Sequence, residues 1–262
     1  MKIALHGATG RLGQSIVRLS RTMPDLSLVG AVCAAVDPNV NRDVGEVAGI
    51  GPIGVVASAD VASALLGADV VIDFSLPAAM PTLLAVAVRH DLPVMSGTTN
   101  LDPQAQVALE QASRSVPVLW APNTSLGAQV LAELVTQAVR RLGAEYDVEI
   151  VEVHHRRKLD APSGTARRLA EAACQARPEL NEQYHRASSD RVRAAEELAV
   201  LAVRGGDVVG DHTVHLLGPG ERLELTHRAT NRELFAAGAL RAARFLVGRP
   251  PGLYRITDML GS

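Results

Sequence analysis

Cysteine is scarce in this 262-residue chain: Cys33 and Cys174 are the only two, far apart and in no CxxC or metal-ligand spacing. A disulfide framework or a thiolate metal site is therefore not expected, no metal is called for, and a reducing compartment is the simpler expectation. Charge of one sign is missing too. With 26 Lys and Arg against 28 Asp and Glu, the formal net charge is -2, which suits neither a nucleic-acid nor a membrane-surface partner. No apolar run approaches the roughly 18 to 20 residues that span a bilayer. Met1-Lys2-Ile3 runs straight into an apolar strand pattern without the layout of a signal peptide, so a cytoplasmic protein is expected. The hydrophobic content of 47% is ordinary for a globular chain and argues against wholesale disorder. Any anion must then be bound by a local cluster, not by the field of the whole molecule.

The first half alternates short apolar runs with amphipathic ones. Strands are expected at 2–6, 28–33, 69–74, 92–96 and 116–120, with helices at 12–22, 78–90 and 103–114. Runs this apolar suit strands buried on both faces, and their alternation with helices implies crossovers and a parallel sheet. The expectation is a Rossmann-like, doubly wound α/β domain. After Trp120 the rhythm changes. A long helix at 126–142 leads to a strand at 148–153 (VEIVEV), read as apolar and acidic residues in alternation with one polar face. A helix at 165–176 follows, then a loop and short helix within 178–197. Strands at 198–204, 211–217 and 221–227, separated by glycine turns, read most simply as an antiparallel meander. This second part is an α+β domain with an open mixed sheet. A last helix is expected at 233–247, and the pattern alone does not assign it to either part.

Three groups of residues carry chemistry. Gly7-Ala8-Thr9-Gly10-Arg11-Leu12-Gly13 follows the first strand and opens the first helix. Glycines there permit a tight turn and let a pyrophosphate approach backbone N–H groups at a helix N-terminus, although they also serve ordinary turns. Gly97-Thr98-Thr99 and Ala121-Pro122-Asn123-Thr124 follow the strands at 92–96 and 116–120. The carboxyl ends of parallel strands are where open α/β sheets bind ligands, yet Thr, Asn and Pro are also common turn residues. The third group is His154-His155-Arg156-Arg157-Lys158-Leu159-Asp160-Ala161-Pro162-Ser163-Gly164-Thr165-Ala166. Five potentially cationic side chains in succession repel one another unless an anion shares the site. Ser163-Gly164-Thr165 sets a hydroxyl and N–H groups at a helix start suited to a carboxylate, and histidine is the side chain best matched to proton transfer near neutral pH. A solvated basic loop with an ordinary N-cap is the plain alternative.

HHRRKLDAPSGTA resembles the signature HHxxKxDAPSGTA of the 4-hydroxy-tetrahydrodipicolinate reductase family, a long and specific motif. The similarity continues in GATGRLG at the start, VIDFSLP at 71–77, GTT at 97–99, APN at 121–123 and GDVVGDHTVHLLGPGERLELTHRATNR at 206–232. The resemblance implies reduction of a cyclic 4-hydroxy dicarboxylate by NADH or NADPH in lysine and diaminopimelate biosynthesis. It makes His154 and Lys158 the proton-donating couple, His155 a substrate contact, and Gly164 and Thr165 the carboxylate site. The cofactor would lie on Gly7, Ala8, Thr9, Gly10, Arg11, Leu12, Gly97, Thr98, Thr99, Ala121, Pro122, Asn123 and Thr124. It further implies a homotetramer, with 1–125 and 233–262 forming the dinucleotide-binding domain and 126–232 the substrate-binding and oligomerisation domain. Two positions depart from the family pattern: Thr124 stands where Phe is usual, and Cys33-Ala34-Ala35, with Asp37 slightly beyond, stands where an acidic residue commonly ends the second strand. Cofactor preference between NADH and NADPH is therefore not legible. Rival readings are a related nicotinamide-dependent oxidoreductase of another small acid, which would not need the His154–Thr165 loop, and a non-catalytic nicotinamide sensor, which would have lost the proton donor.

Overall fold

The computed structural model describes residues 1–184 and 190–261, in two compact units, Met1–Thr124 with Glu233–Ser262, and Ser125–Arg232. In the first unit β1 (Lys2–His6), β2 (Ser27–Val32), β3 (Ala57–Ser58), β4 (Val70–Asp73), β5 (Val94–Ser96) and β6 (Pro117–Trp120) alternate with α1 (Arg11–Ser20), α2 (Val44–Val47), α3 (Val61–Ala64), α4 (Met80–Arg89) and α5 (Pro103–Ser113). Every pairing is parallel, in the order β6-β5-β4-β1-β2-β3. The chain winds one way from β1 and the other way from β4, so the switch point lies between these two strands, where a doubly wound sheet opens to ligands. The VVID run of β4 is wholly buried, as a strand covered on both faces must be. β3, α2 and α3 are too short to show a period in sequence, and none of them was expected.

The second unit begins with α6 (Leu126–Leu142), started by Ser125, whose hydroxyl accepts from the Ala128 N–H. β7 (Asp147–His154), α7 (Gly164–Ala176), β8 (Asn181–Gln183), β9 (Glu197–Arg204), β10 (Gly210–Gly218) and β11 (Glu221–Ala229) complete it. Val148 and Ile150 of β7 and Val214 and Leu216 of β10 pack with Leu169, Ala170 and Ala173 of α7 and Val135 of α6 to form its core. The short helix expected within 178–197 is replaced by β8 over Asn181–Gln183, and positions 185–189 of that segment lie outside the described residues.

The expected meander is corrected. The sheet order is β11-β10-β7-β9-β8, so β9 and β10 are separated by β7, antiparallel to β10 and parallel to β9. The cause is the α7 crossover, which brings the chain back to run beside β7 in the same direction. The turn that follows β9 then passes over the end of β7, held by Gly205 N–H to His154 O at 2.9 Å and His155 N–H to Val208 O at 2.8 Å. The chain re-enters on the far side of β7, and only the β10–β11 hairpin keeps the meander geometry.

The closing segment returns to the first unit. α8 (Glu233–Leu246) packs on α1, and β12 (Gly252–Tyr254), followed by α9 (Ile256–Leu260), adds a seventh parallel strand beside β6. No helix among the described residues is long and apolar enough to cross a membrane. The docking of α8 depends on Gly238, since a Cβ there would stand 1.9 Å from the Thr124 carbonyl oxygen. That oxygen belongs to backbone and cannot swing away. Gly238→Ala is expected to destabilise the first unit by about 1 to 3 kcal/mol, the usual range for overpacking, read as a lower midpoint in urea unfolding.

Candidate active site

The glycine turn sits at the carboxyl end of β1, at the switch point of the sheet. Gly7 has φ of 79°, and a Cβ there would lie 2.3 Å from the Phe74 carbonyl oxygen. A Cβ on Gly13 would lie 2.3 Å from the carbonyl oxygen of Gly7, so α1 can seat itself this close to the turn only with glycine there. Gly7 and Ala8 N–H groups both donate to Val32 O at 3.0 Å. Gly10 is the N-cap of α1 and supplies no side-chain cap, so the positive end of the helix dipole is left for a phosphate. Thr9 donates from its hydroxyl to Asp37 Oδ2 at 2.7 Å, and Arg11 is exposed while Leu12 is half-buried. The sequence could not place Asp37. The structure puts its carboxylate beside the turn, where the Thr9 hydroxyl, then Asn39, hold it below the usual carboxylate range.

A buried hub underlies the other two loops of this unit. Asp73 is fully buried at the end of β4, with His6 Nδ1 at 2.8 Å from one oxygen. The hydroxyls of Ser96 and Thr98 donate to the other oxygen at 2.7 and 2.8 Å, and the Ser75 N–H reaches Oδ1 at 3.2 Å. Burial alone would raise its pKa, but the contact with His6 and the bonds from Ser75 and Ser96 outweigh it and hold the carboxyl below its ordinary value. Gly97 N–H donates to Asp73 O at 2.9 Å. Thr98 is buried, Thr99 is exposed, and Trp120 Nε1–H donates to Thr98 O at 2.9 Å. In the next loop Ala121 N–H bonds Ser96 O, Pro122 is exposed and Asn123 is half-buried. Thr124 is buried, and its hydroxyl donates to Phe235 O at 2.7 Å. Its side chain ties the loop to the start of α8.

In the second unit His154 ends β7 on the helix-covered face and is only 7% exposed. Its Nδ1 bonds Glu152 Oε2. Glu152 is completely buried and is held by Arg204 through Nη1 at 2.9 Å and Nη2 at 2.8 Å, and by the Ser163 N–H at 3.1 Å. Burial would raise the Glu152 pKa, but Arg204, His154 and Ser163 N–H more than offset it, and the group is held below the usual range. Burial pushes His154 below the ordinary histidine value; Lys158 and Arg204 add to this, and the Glu152 carboxylate opposes it without reversing it. His212, opposite Glu152 on β10, stands edge-on to His154 with ring centres 5.0 Å apart. Its Nε2 lies 3.0 Å from Ser163 Oγ, the N-cap of α7. Burial and the neighbouring His154 push its pKa down to about 4. His227, next on β11, holds Ser125, the N-cap of α6, in the same way at 3.3 Å.

The loop after His154 is less exposed in charge than its composition suggests. Lys158 is paired with Asp160 at 2.8 Å, and Arg204 also donates to Asp160 O. Arg156 and Arg157 are exposed, and His155 is half-buried. Gly164 lies open at the start of α7, with nothing within 4 Å of the place a Cβ would take, and Thr165 follows it half-buried. His154, Lys158, Gly164 and Thr165 thus share one end of the second sheet. Donor atoms of Glu152, His154 and His212 fall within 4.8 Å of one another, a spacing a metal ion could use. Arg204 already supplies the positive charge at that carboxylate.

Glu152, Arg204 and His212 were missed from sequence, although parity carried the signal for two of them. Strand side chains alternate, so Glu149 and Glu152 face opposite sides, and Glu152 shares its side with Val148, Ile150 and His154. The VEIVEV run does not have one polar face. His212 likewise shares its side with Val214 and Leu216. Arg204 carries no such signal, because its role depends on β9 lying beside β7.

Family models describe both halves of the chain: "Dihydrodipicolinate reductase, N-terminus" matches residues 1–124 and "Dihydrodipicolinate reductase, C-terminus" matches 127–260. The 4-hydroxy-tetrahydrodipicolinate reductase of Anaeromyxobacter dehalogenans is 47% identical, over 99% of this chain and 97% of that one. The enzyme of the same name from Myxococcus xanthus is 42% identical, over 100% and 98%. Among solved structures, the dipicolinate-bound dihydrodipicolinate reductase from Paenisporosarcina sp. TG-14 superposes with a TM-score of 0.76 at 22% identity, over 97% of each chain, and so shares the fold.

The Asp73 hub yields a test of its own. Asp73→Asn keeps the shape but removes the charge that accepts from His6, Ser96 and Thr98. At neutral pH a loss of about 3 to 5 kcal/mol is expected, the cost of breaking a buried pair, along with NADH affinity weakened by about tenfold or more, roughly 1.4 kcal/mol. The folded pKa of Asp73 lies below its unfolded value. Its stabilisation is therefore complete above the unfolded value of about 3.9 and is lost as pH falls through the folded one. The stability gap between wild type and variant must narrow in acid; a constant gap there would mean the charge contributes nothing.

Proposed function

The chain belongs to the dihydrodipicolinate reductase family, and from that premise we propose that the end of the second sheet formed by His154, Lys158, Gly164 and Thr165 is where it reduces 4-hydroxy-2,3,4,5-tetrahydrodipicolinate to tetrahydrodipicolinate. It is an NAD(P)H-dependent oxidoreductase of lysine and diaminopimelate biosynthesis. The observation that carries the site assignment is the buried Glu152–His154 pair standing beside the open, serine-capped start of α7.

The cofactor would be held by the turn from Gly7 to Leu12 and by the loops at 97–99 and 121–124. The fit rests on the uncapped start of α1 and on a turn too tight for any Cβ at Gly7 or Gly13. When bound, reduced nicotinamide supplies the hydride. Both NADH and NADPH serve in this reading, because 33–35 carry neither a carboxylate nor an arginine, and the Asp37 carboxylate is already engaged by Thr9 and Asn39.

The substrate carries two carboxylates, as does the dipicolinate bound to the Paenisporosarcina relative. One would sit at Gly164 and Thr165, on the positive end of α7. His155 would contact the substrate, and the exposed Arg156 and Arg157 would supply positive potential around it. Burial disfavours the charged form of His154 in the free protein. An arriving dianion favours that form, so the ring takes up a proton as the substrate binds and is then ready to donate it. Lys158 acts with it as electrostatic partner. The protein would work as a cytoplasmic homotetramer: the face of the second sheet opposite α6 and α7 exposes Leu201, Val203 and Leu217, apolar surface suited to a partner subunit.

Cofactor oxidation with enzymatically generated 4-hydroxy-tetrahydrodipicolinate tests the activity directly. His154→Ala is expected to cut kcat by at least about a hundred-fold, the usual contribution of a general acid, with cofactor affinity unchanged. Because the substitution also takes a partner from the buried Glu152, thermal stability should fall, and kcat is read well below the variant's unfolding midpoint. Near-normal turnover in that variant would remove His154 from the role. Thr165→Val removes one hydrogen bond to the ligand, so it should raise KM more than it lowers kcat. A complex with pyridine-2,6-dicarboxylate whose carboxylates lie away from α7 would disprove that placement.

A further inference from the structure

Glu152 lies outside the HHRRKLDAPSGTA motif, yet the motif is assembled on it. Its carboxylate is fully buried and meets donors from three directions. Oε1 accepts from the Ser163 N–H and from Arg204 Nη2, while Oε2 accepts from His154 Nδ1 and from Arg204 Nη1. Because an ionised carboxylate can only accept, the hydrogen on the neutral His154 ring sits on Nδ1. Nε2 is then the nitrogen through which the ring exchanges a proton. The other oxygen fixes Ser163, the residue that caps α7 and sets where Gly164 and Thr165 begin. Arg204 performs a separate task. The Glu152 carboxylate favours the protonated His154 ring; burial opposes this most strongly, and Lys158 and the Arg204 guanidinium, which offsets the Glu152 charge, act in the same direction as burial.

We propose that Glu152, braced by Arg204, is a positioning residue that sets the tautomer of His154 and couples the proton donor to the carboxylate-binding start of α7. The inference rests on His154 being the proton donor, as argued above. It goes further in assigning the orientation and timing of that proton to two residues that act through His154, one wholly buried and the other bound to it.

The test begins with the unmutated enzyme, labelled with 15N-histidine and assigned by comparison with His154→Gln. Long-range proton–nitrogen correlation at neutral pH should show His154 protonated on Nδ1 and bare on Nε2; the opposite tautomer overturns the proposal without any further variant. Glu152→Gln should then invert the tautomer, since an amide N–H facing Nδ1 turns that nitrogen into an acceptor. kcat should fall by at least about a hundred-fold, as expected when the proton is held on the wrong nitrogen, and the kcat pH profile should move to lower pH because the protonated ring has lost its carboxylate. Cofactor affinity, which reports on the other unit, should hold. Wild-type kcat and an unmoved profile in Glu152→Gln would sink the positioning role, and if they came with an inactive His154→Ala the proton donor would survive alone. Should Glu152→Gln fail to fold, Arg204→Gln decides: the pH at which His154 titrates must rise, and an unchanged titration overturns the proposal.

Discussion

A carboxylate taken out of water costs several kcal/mol unless charge and hydrogen bonds meet it, and Glu152 is met on every side. Arg204 comes from β9, His154 from two residues further along β7, and Ser163 from the cap of α7. None of these groups is close to another in sequence except the two on β7. Their convergence depends on β9 lying parallel beside β7, which the α7 crossover enforces. The second unit satisfies its buried charge in one arrangement of three segments, and that arrangement fixes the start of α7 beside His154.

The first unit repeats the device with other residues. Asp73 is buried at the end of β4 and is met by His6, Ser96, Thr98 and Ser75, so one carboxylate ties the loops that follow β1, β4 and β5. In both units a histidine supplies Nδ1 to a wholly buried acid at the carboxyl end of a central strand. The consequences differ. The His6 pair lies beneath loops that hold backbone groups in place, whereas His154 stands edge-on to His212 beside the start of α7, where its second nitrogen is the one proposed to exchange a proton. Serine caps held by His212 and His227 complete the second arrangement, and they fix the starts of both its helices against the sheet.

Much of this architecture is legible in the sequence. Apolar runs of four to six residues separated by amphipathic helices specify a parallel doubly wound sheet, and the switch point puts the glycine turn where a dinucleotide would lie. What failed was strand pairing. Gly205-Gly206 marks a turn but not which strand the chain meets next, because that depends on the crossover and not on local signals. The network around Glu152 failed for two reasons. The acids of VEIVEV were read as one face although positions 149 and 152 differ in parity, and Arg204 becomes a partner of Glu152 only once β9 is placed beside β7. Asp37 shows the same limit at loop scale. Its distance along the chain from β2 gave no hint that a turn closed by its N–H on Ala34 O brings its carboxylate to Thr9 and Asn39.

The charge arrangement explains how a chain of net charge -2 can take a dianion. Around His154, Lys158 is offset by Asp160, and Arg204 by Glu152, so the free loop is close to balanced, and burial disfavours the charged form of its histidine. What remains unbalanced is the positive end of α7 together with the exposed Arg156 and Arg157. A balanced interior with an unbalanced rim attracts an anion without trapping one, and in the proposed site it would leave the proton affinity of His154 to be set by the ligand. A site built from uncompensated lysines and arginines would bind the dicarboxylate product as firmly as the substrate. Here Arg204 is committed to the buried Glu152 and Lys158 to Asp160, and if His154 is the proton donor proposed above, the proton it takes up with the substrate is the one it gives away, so the attraction would weaken as turnover completes.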